Sequence, residues 1–317
     1  MTAGTPTART VLGDLAPDQL GVTNAHDHLF FASRRLPGQE LDDTDAAVRE
    51  LRAFARLGGR TVVQWSPFGL GRHPEALAEV SRSADVHVIA ATGLHQAAHY
   101  PPELLARVRD RLAELFVAEL TTGMHRADDP DGPTVPARAG LVKVAGGFHG
   151  LDAHARHALT AAAEAHHATG TPIAVHLEGG TAALDVLDLL CDRLDVPPHR
   201  VILGHLTRFP DPRVPRAAAE AGAFLALDGP SRAHHATDWR LFDVLTALVE
   251  AGHATQVLLG GDTTTAAARS VTGEGPGMPF LLTALRPRIE RELGPEIATA
   301  IFEASPARAF ATAWTAT

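Results

Sequence analysis

The chain has 317 residues, 45% hydrophobic, 21% charged and 5% aromatic, with 28 glycines and 22 prolines, which is the balance of a globular protein and not of a disordered, collagenous or coiled-coil chain. Its formal charge of −9 repels polyanions and argues against nucleic acid or an acidic membrane as the partner. Cys191 is the sole cysteine, so no internal disulfide or cysteine-based zinc site can form, and no apolar run has signal-peptide or membrane-span length, which reads as a cytoplasmic protein. Along the chain, short β-rich apolar runs cover 21–26, 60–65, 86–92, 140–144, 172–176, 200–205, 223–228 and 256–262. Between them, helical periodicity occupies 41–57, 101–121, 152–169, 181–194 and 239–252. Eight βα units predict an α/β fold, a closed (β/α)8 TIM barrel, with an open doubly wound sheet and a second domain as the competing arrangement. No repeat or low-complexity linker divides residues 1–317, which read as one domain. The Gly/Pro-rich stretches 122–140 and 263–279 read as long loops of the lid or binding type.

Barrels of this kind place their chemistry at the C-terminal ends of the strands. The first run ends in His26-Asp27-His28, and residues two apart in an extended segment point the same way, so both imidazoles can face one metal ion. The fourth run carries Lys143, the fifth ends in His176, the sixth in His205 and the eighth in Asp262. Taken singly, each has an ordinary explanation. A strand-end histidine commonly makes a structural hydrogen bond, Lys143 can be a surface charge or the partner of a buried carboxylate, and Asp262 can cap a helix. Taken together, they require the same coincidence on five strands. Composition adds a second signal: Lys143 is the only lysine among 28 basic residues, the other 27 being arginine.

These residues carry a resemblance to the phosphotriesterase family of the amidohydrolase superfamily. ARTVLGDLAPDQLGVTNAHDHL is similar to the family's opening hairpin and first strand, and GRHPEALAEVSRSADVHVIAATGLH to its second and third units. LVKVA, TPIAVHLEGG, RVILGHLTRFPD, FLALDGP and QVLLGGD follow in the family's order, and GMPFLLTALRPRIERELGPEIATAIFEASPARAF resembles its C-terminal helices. The resemblance implies an amidohydrolase-type barrel with an N-terminal hairpin in 1–20, C-terminal helices in 277–317 and two divalent metal ions, zinc or another first-row metal. By the same resemblance, His26, His28 and Asp262 hold the more buried ion, and His176 and His205 the exposed one. Lys143, carboxylated by CO2, bridges both together with a hydroxide. A carbamate needs a neutral primary amine, which arginine does not offer. Asp262 is the implied proton acceptor.

Departures from the family pattern bear on the substrate. Asp27 replaces the commoner Glu, and Ser305 replaces Asn in the tail. Leu70 matches an apolar pocket position. His95 stands where organophosphate-hydrolysing relatives have an aromatic residue and lactonases a tyrosine; with His99 and Tyr100 it would form a polar wall, unless these are solvent-facing loop residues. Arg208 and Arg232 are candidates for an anionic substrate group, against the alternative of surface charge. The implied activity is hydrolysis of a small carboxylic ester or lactone, with phosphotriester or amide hydrolysis on the same metals as the alternative. A TatD-like nuclease is disfavoured because such proteins place Glu where Lys143 stands, and a non-catalytic barrel because the donor set is complete. Homodimers are common in the family, and no interface residue is identifiable in this sequence.

Overall fold

The computed structural model describes residues 4–229 and 238–315. An antiparallel hairpin, β1 (Thr7–Thr10) and β2 (Gly13–Leu15), leads through a turn at Pro17–Leu20 into eight parallel strands laid side by side in chain order. These are β3 (Thr23–Asp27), β4 (Thr61–Gln64), β5 (His87–Thr92), β6 (Leu141–Ala145), β7 (Ile173–His176), β8 (Val201–Gly204), β9 (Phe224–Asp228) and β10 (Val257–Gly260), and each overlaps one of the eight predicted runs. The intervening helices are α1 (Thr44–Ala55), α2 (Pro74–Ala84), α3 (Pro102–Val108), α4 (Leu112–Thr121), α5 (Ala153–Thr169), α6 (Ala183–Leu187), α7 (Arg213–Glu220) and α8 (Leu241–Glu250). Helices α9 (Arg286–Glu292), α10 (Pro295–Thr299) and α11 (Ser305–Phe310) follow, and β11 (Ala311–Thr312) pairs with β1. No helix among the described residues is long and apolar enough to cross a membrane.

Local chemistry explains the helix boundaries. Asp43 and Asp152 cap α1 and α5 by accepting the N–H groups of Ala46 and Ala155, and Gly170 ends α5 at φ +78°. Helix α1 buries Ala46, Ala47, Glu50, Leu51 and Phe54, one stripe at helical spacing. Two predicted helices are not continuous. The 101–121 stretch breaks into α3, a tight turn at Arg109–Arg111 and α4, and 181–194 passes from α6 into a π-helical turn at Asp188–Arg193. The C-terminal region is not wholly helical either: Thr312 lies opposite Thr7 and Ala311 opposite Ala8, a pairing that only the folded chain creates.

Strand side chains alternate between barrel interior and helical shell. Val63, Ile89, Leu141, Ala174, Ile202, Phe224 and Leu258 fill the interior, which Leu20, Ala8, Ala309 and Phe310 join. Two residues beyond Leu141 stands Lys143, beyond Ala174 stands His176, and two beyond Ala226 stands Asp228. The polar groups therefore head apolar rows. The sheet order runs from β3 to β10, and the two outer strands meet at a seam in which Asp262 N–H donates to His26 O at 2.9 Å. Gly261 N–H donates to Asn24 Oδ1 at 3.2 Å and Thr263 N–H to Asp27 Oδ1 at 2.9 Å.

The two long loops are fastened down. Backbone N–H groups of Val271 and Met278 and the Ser270 hydroxyl donate to Glu50, a fully buried residue of α1, and Arg269 donates to Leu29 O. The 122–140 loop carries Asp128 to the fully buried Arg72, whose Nε donates to Asp128 at 2.6 Å. Arg72 also grips Glu119 of α4 through two hydrogen bonds of 2.6 and 2.8 Å, and Thr92 of β5 donates to the same carboxylate at 2.6 Å. Truncating one member of such a buried pair leaves an uncompensated charge. Glu119→Ala should lower the unfolding free energy by about 3–5 kcal/mol, read from the urea midpoint.

Candidate metal centre

A cavity of about 830 Å³ opens over the strand ends, and His26, His28, Lys143, His176, His205 and Asp262 all line it. Every one of the predicted donors is brought to one place. His26 Nε2 and His28 Nε2 each lie 3.4 Å from Asp262 Oδ1. His26, His205 and Asp262 offer ligand atoms that all fall within 4.8 Å of one another, and the His205 and His176 rings meet edge to face at 4.4 Å. These donors are therefore close neighbours in one cavity. His205 and Asp262 adopt left-handed backbone, φ +68° and +50°, a conformation unfavourable for residues with a Cβ and concentrated at functional sites.

The neighbours decide which nitrogen of each ring is free. Asp228, at the end of β9, accepts from His26 Nδ1 at 2.8 Å through one oxygen and from His205 Nδ1 at 2.5 Å through the other. A carboxylate only accepts, so both protons sit on Nδ1 and both Nε2 lone pairs are left for a ligand. The Ser66 hydroxyl donates to Phe30 O at 2.5 Å and therefore accepts from His28 Nδ1 at 2.8 Å, which again frees Nε2. His176 is wired the other way: its Nε2 faces Glu178 Oε2 at 3.1 Å, leaving Nδ1 free. His26 additionally stacks on Trp65, ring centroids 3.8 Å apart.

Burial pushes the His28 imidazole down to about 4 and the His176 imidazole down to about 3, so both are neutral and able to coordinate at pH 7. Burial pulls the Lys143 ammonium down to about 7, against the opposing attraction of Asp262. Lys143 is 3% exposed, lines the cavity and makes no hydrogen bond or ion pair among the described residues. Burial works against the Asp228 and Asp262 carboxylates, yet the imidazoles around them outweigh it and hold both well below the usual range. Neutral imidazoles, acceptor-only carboxylates and an amine free of partners are the donor chemistry that divalent first-row ions take. The residues fit a metal centre.

The remaining predicted residues separate. His95, His99 and Arg208 line the cavity, and Arg208 donates to Asp262 Oδ2 at 2.9 Å. Leu70 does not belong to the cavity wall. It is fully buried in the apolar shell, and its carbonyl accepts the Ala32 N–H at 2.9 Å. Arg232 lies outside the described residues. Asp27 points away from the donors, into the seam, where the N–H groups of His28 and Thr263 donate to it. Sequence reasoning missed Asp228, Ser66, Glu178 and the cavity-lining Arg35. Asp228 was findable, because it ends a predicted strand in FLALDGP; Ser66 and Glu178 carry no comparable signal. Because Asp228 orients two donor rings, Asp228→Asn should lower metal affinity about 10–100-fold, measured by competition with a chelator.

The comparisons with known proteins agree with this geometry. The model of the phosphotriesterase family matches residues 6–308. A phospho-furanose lactonase of Mycoplasmopsis agalactiae is 32% identical over 248 residues, covering 74% of this chain and 70% of its own length. The phosphotriesterase homology protein of Escherichia coli is 27% identical over 86% of this chain and 92% of its own. Among solved structures, a lactonase from Listeria monocytogenes superposes with a TM-score of 0.87 at 27% identity, covering 96% of this chain and 98% of that one. With a family model spanning nearly its whole length and a barrel of the same architecture, the chain belongs to the phosphotriesterase family of hydrolases.

Proposed function

We propose that the chain is a binuclear-metal-dependent hydrolase acting on a carboxylic ester or lactone of a small polar molecule. The observation that carries this reading is Lys143: the one lysine of the chain, buried among tautomer-fixed histidines, with its amine brought near neutrality. A neutral amine can add to CO2 with loss of one proton to water, and the resulting carbamate would supply anionic oxygens as metal ligands, a role closed to arginine. In this reading His26, His28 and Asp262 would hold one ion, His176 and His205 the other, and carboxylated Lys143 would be a ligand to them. Zinc suits this N/O ligand set. Such ions, when bound, lower the pKa of a water and polarise the substrate's carbonyl group.

The chain's own residues position the substrate and handle the proton. Asp262 stays ionised over the working pH range, so it takes a proton from the attacking water only transiently and passes it on. Its Oδ2 is held by Arg208, which keeps the carboxylate oriented. Arg35 and Arg208 line the same cavity as Phe31 and Leu36, a combination that suits a compact molecule with one anionic substituent and little apolar bulk. A phosphorylated sugar lactone has that chemistry, and a relative named for phospho-furanose lactones supports the choice.

Three measurements test the reading. Lys143→Arg should abolish turnover and lower the metal content below two ions per chain, whereas a full complement of metal would remove the bridge. Asp262→Asn should cut kcat by about 100-fold or more while the metal is largely kept, since general base catalysis contributes on that scale. Because the Lys143 amine is charged below about 7 and neutral above it, activation of metal-stripped protein at constant dissolved CO2 should quicken about tenfold per pH unit below 7 and level off above. A flat profile would contradict carboxylation.

A further inference from the structure

Beside the donor set, the cavity holds one residue whose chemistry is decided by its surroundings. His95 follows β5, and its Nδ1 accepts the backbone N–H of Gln96 at 2.7 Å. That nitrogen carries no proton, so the single ring hydrogen resides on Nε2. The backbone of His95 is clamped on both sides: its N–H donates to the Tyr100 hydroxyl at 2.7 Å, and its carbonyl accepts from His154 Nε2 at 2.7 Å. Tyr100 is itself buried behind the cavity wall. The imidazole leans against His176 and His99, with centroid separations of 4.6 and 4.5 Å, so it stands next to the donor set without belonging to it. Nε2 has no hydrogen-bond partner among the described residues and is open to the cavity. His95 thus offers a preorganised N–H within the cavity that the donor set lines.

We propose that His95, as a neutral imidazole, donates its Nε2–H to the leaving oxygen of the ester or lactone; this rests on the hydrolase reading above. During turnover the oxygen of water bonds to the acyl carbon and the acyl C–O bond breaks, its electron pair passing to the leaving oxygen. One proton of the water ends on that oxygen, and His95 keeps its own hydrogen throughout. Its contribution is a fixed dipole aimed at charge that develops only in the transition state. A phenolate spreads that charge over its ring and has little need of the donor. An alkoxide from a sugar hydroxyl concentrates it on one atom and needs the donor much more. A leucine or phenylalanine at this position would line the wall equally well and would lack this effect.

The test compares leaving groups in the metal-loaded protein. In His95→Phe, kcat should fall about 100- to 1,000-fold on a sugar lactone and an alkyl ester, and less than about tenfold on the p-nitrophenyl ester of the same acid. His95→Gln, which keeps an N–H donor, should recover part of the alkyl rate. Equal losses on both ester classes, or no loss on either, would overturn the proposal while leaving the hydrolase reading intact. Absence of hydrolysis by the unsubstituted protein on every substrate would overturn both. A second readout needs no turnover: nitrogen NMR of histidine-labelled protein should find a pyridine-type Nδ1 and a pyrrole-type Nε2 on His95. The opposite tautomer would overturn the proposal even if His95→Phe failed to fold.

Discussion

The structure depends on a seam. Seven of the eight neighbouring strand contacts around the barrel are ordinary parallel ladders, but β10 meets β3 through a few individual hydrogen bonds, of which Asp262 N–H to His26 O is central. Gly260 makes the approach possible, since a Cβ there would lie 2.5 Å from the His26 carbonyl oxygen. Two of the residues that close the barrel, His26 and Asp262, also line the candidate metal centre. Asp27 reinforces the arrangement from behind, taking Asn24 Nδ2 at 2.5 Å and the Thr263 N–H at 2.9 Å, so the acid between the two histidines serves the seam and leaves coordination to its neighbours. Asp262, at φ +50°, thus serves both the seam and the donor set.

A single physical cause, burial, prepares the site's nitrogens for a cation. Removal from water disfavours the charged form of an imidazole or an amine, so His28, His176 and Lys143 all lose basicity together. The Asp228 and Asp262 carboxylates escape the same penalty because imidazoles and, for Asp262, Arg208 surround them, whereas burial raises Asp27 to about 6. Hydrogen bonding then does what burial cannot, selecting the nitrogen that each ring presents. Asp228 serves two rings at once, Ser66 one and Glu178 one, and the backbone N–H of Gln96 does the same for His95. The polarity of these five imidazoles is therefore set by their hydrogen-bonded neighbours.

The legible part of the fold was the part with a short period. Alternation along a strand lasts four to six residues here and predicts both the eight strands and the inward position of Lys143 above Leu141 and of His176 above Ala174. Helical stretches were less readable: the apolar spacing runs on through the break at Arg109–Arg111 and the π-helical turn after α6. Among the site residues, the donors were visible because a polar group ending an apolar run is conspicuous. Leu70 was misplaced because an apolar residue after a strand reads equally well as cavity wall or shell, and only the chain path sends it into the shell. Arg208 had two readings as well, surface charge or substrate contact, and the fold places it in the cavity wall, donating to Asp262.

Composition and periodicity by themselves determined that this chain builds eight βα units, that His26, His28, His176, His205 and Asp262 stand at or just past strand ends, and that the one lysine, against 27 arginines, lies on the fourth strand of the barrel. These are local properties, written in spacing and residue type. Which ring nitrogen is free, where the seam closes and which neighbour holds each donor were decided by the tertiary structure alone. Asp228 lies 202 residues from His26, and Asn24 lies 237 from Gly261. Contacts at such separations follow from barrel closure, and no local pattern encodes them.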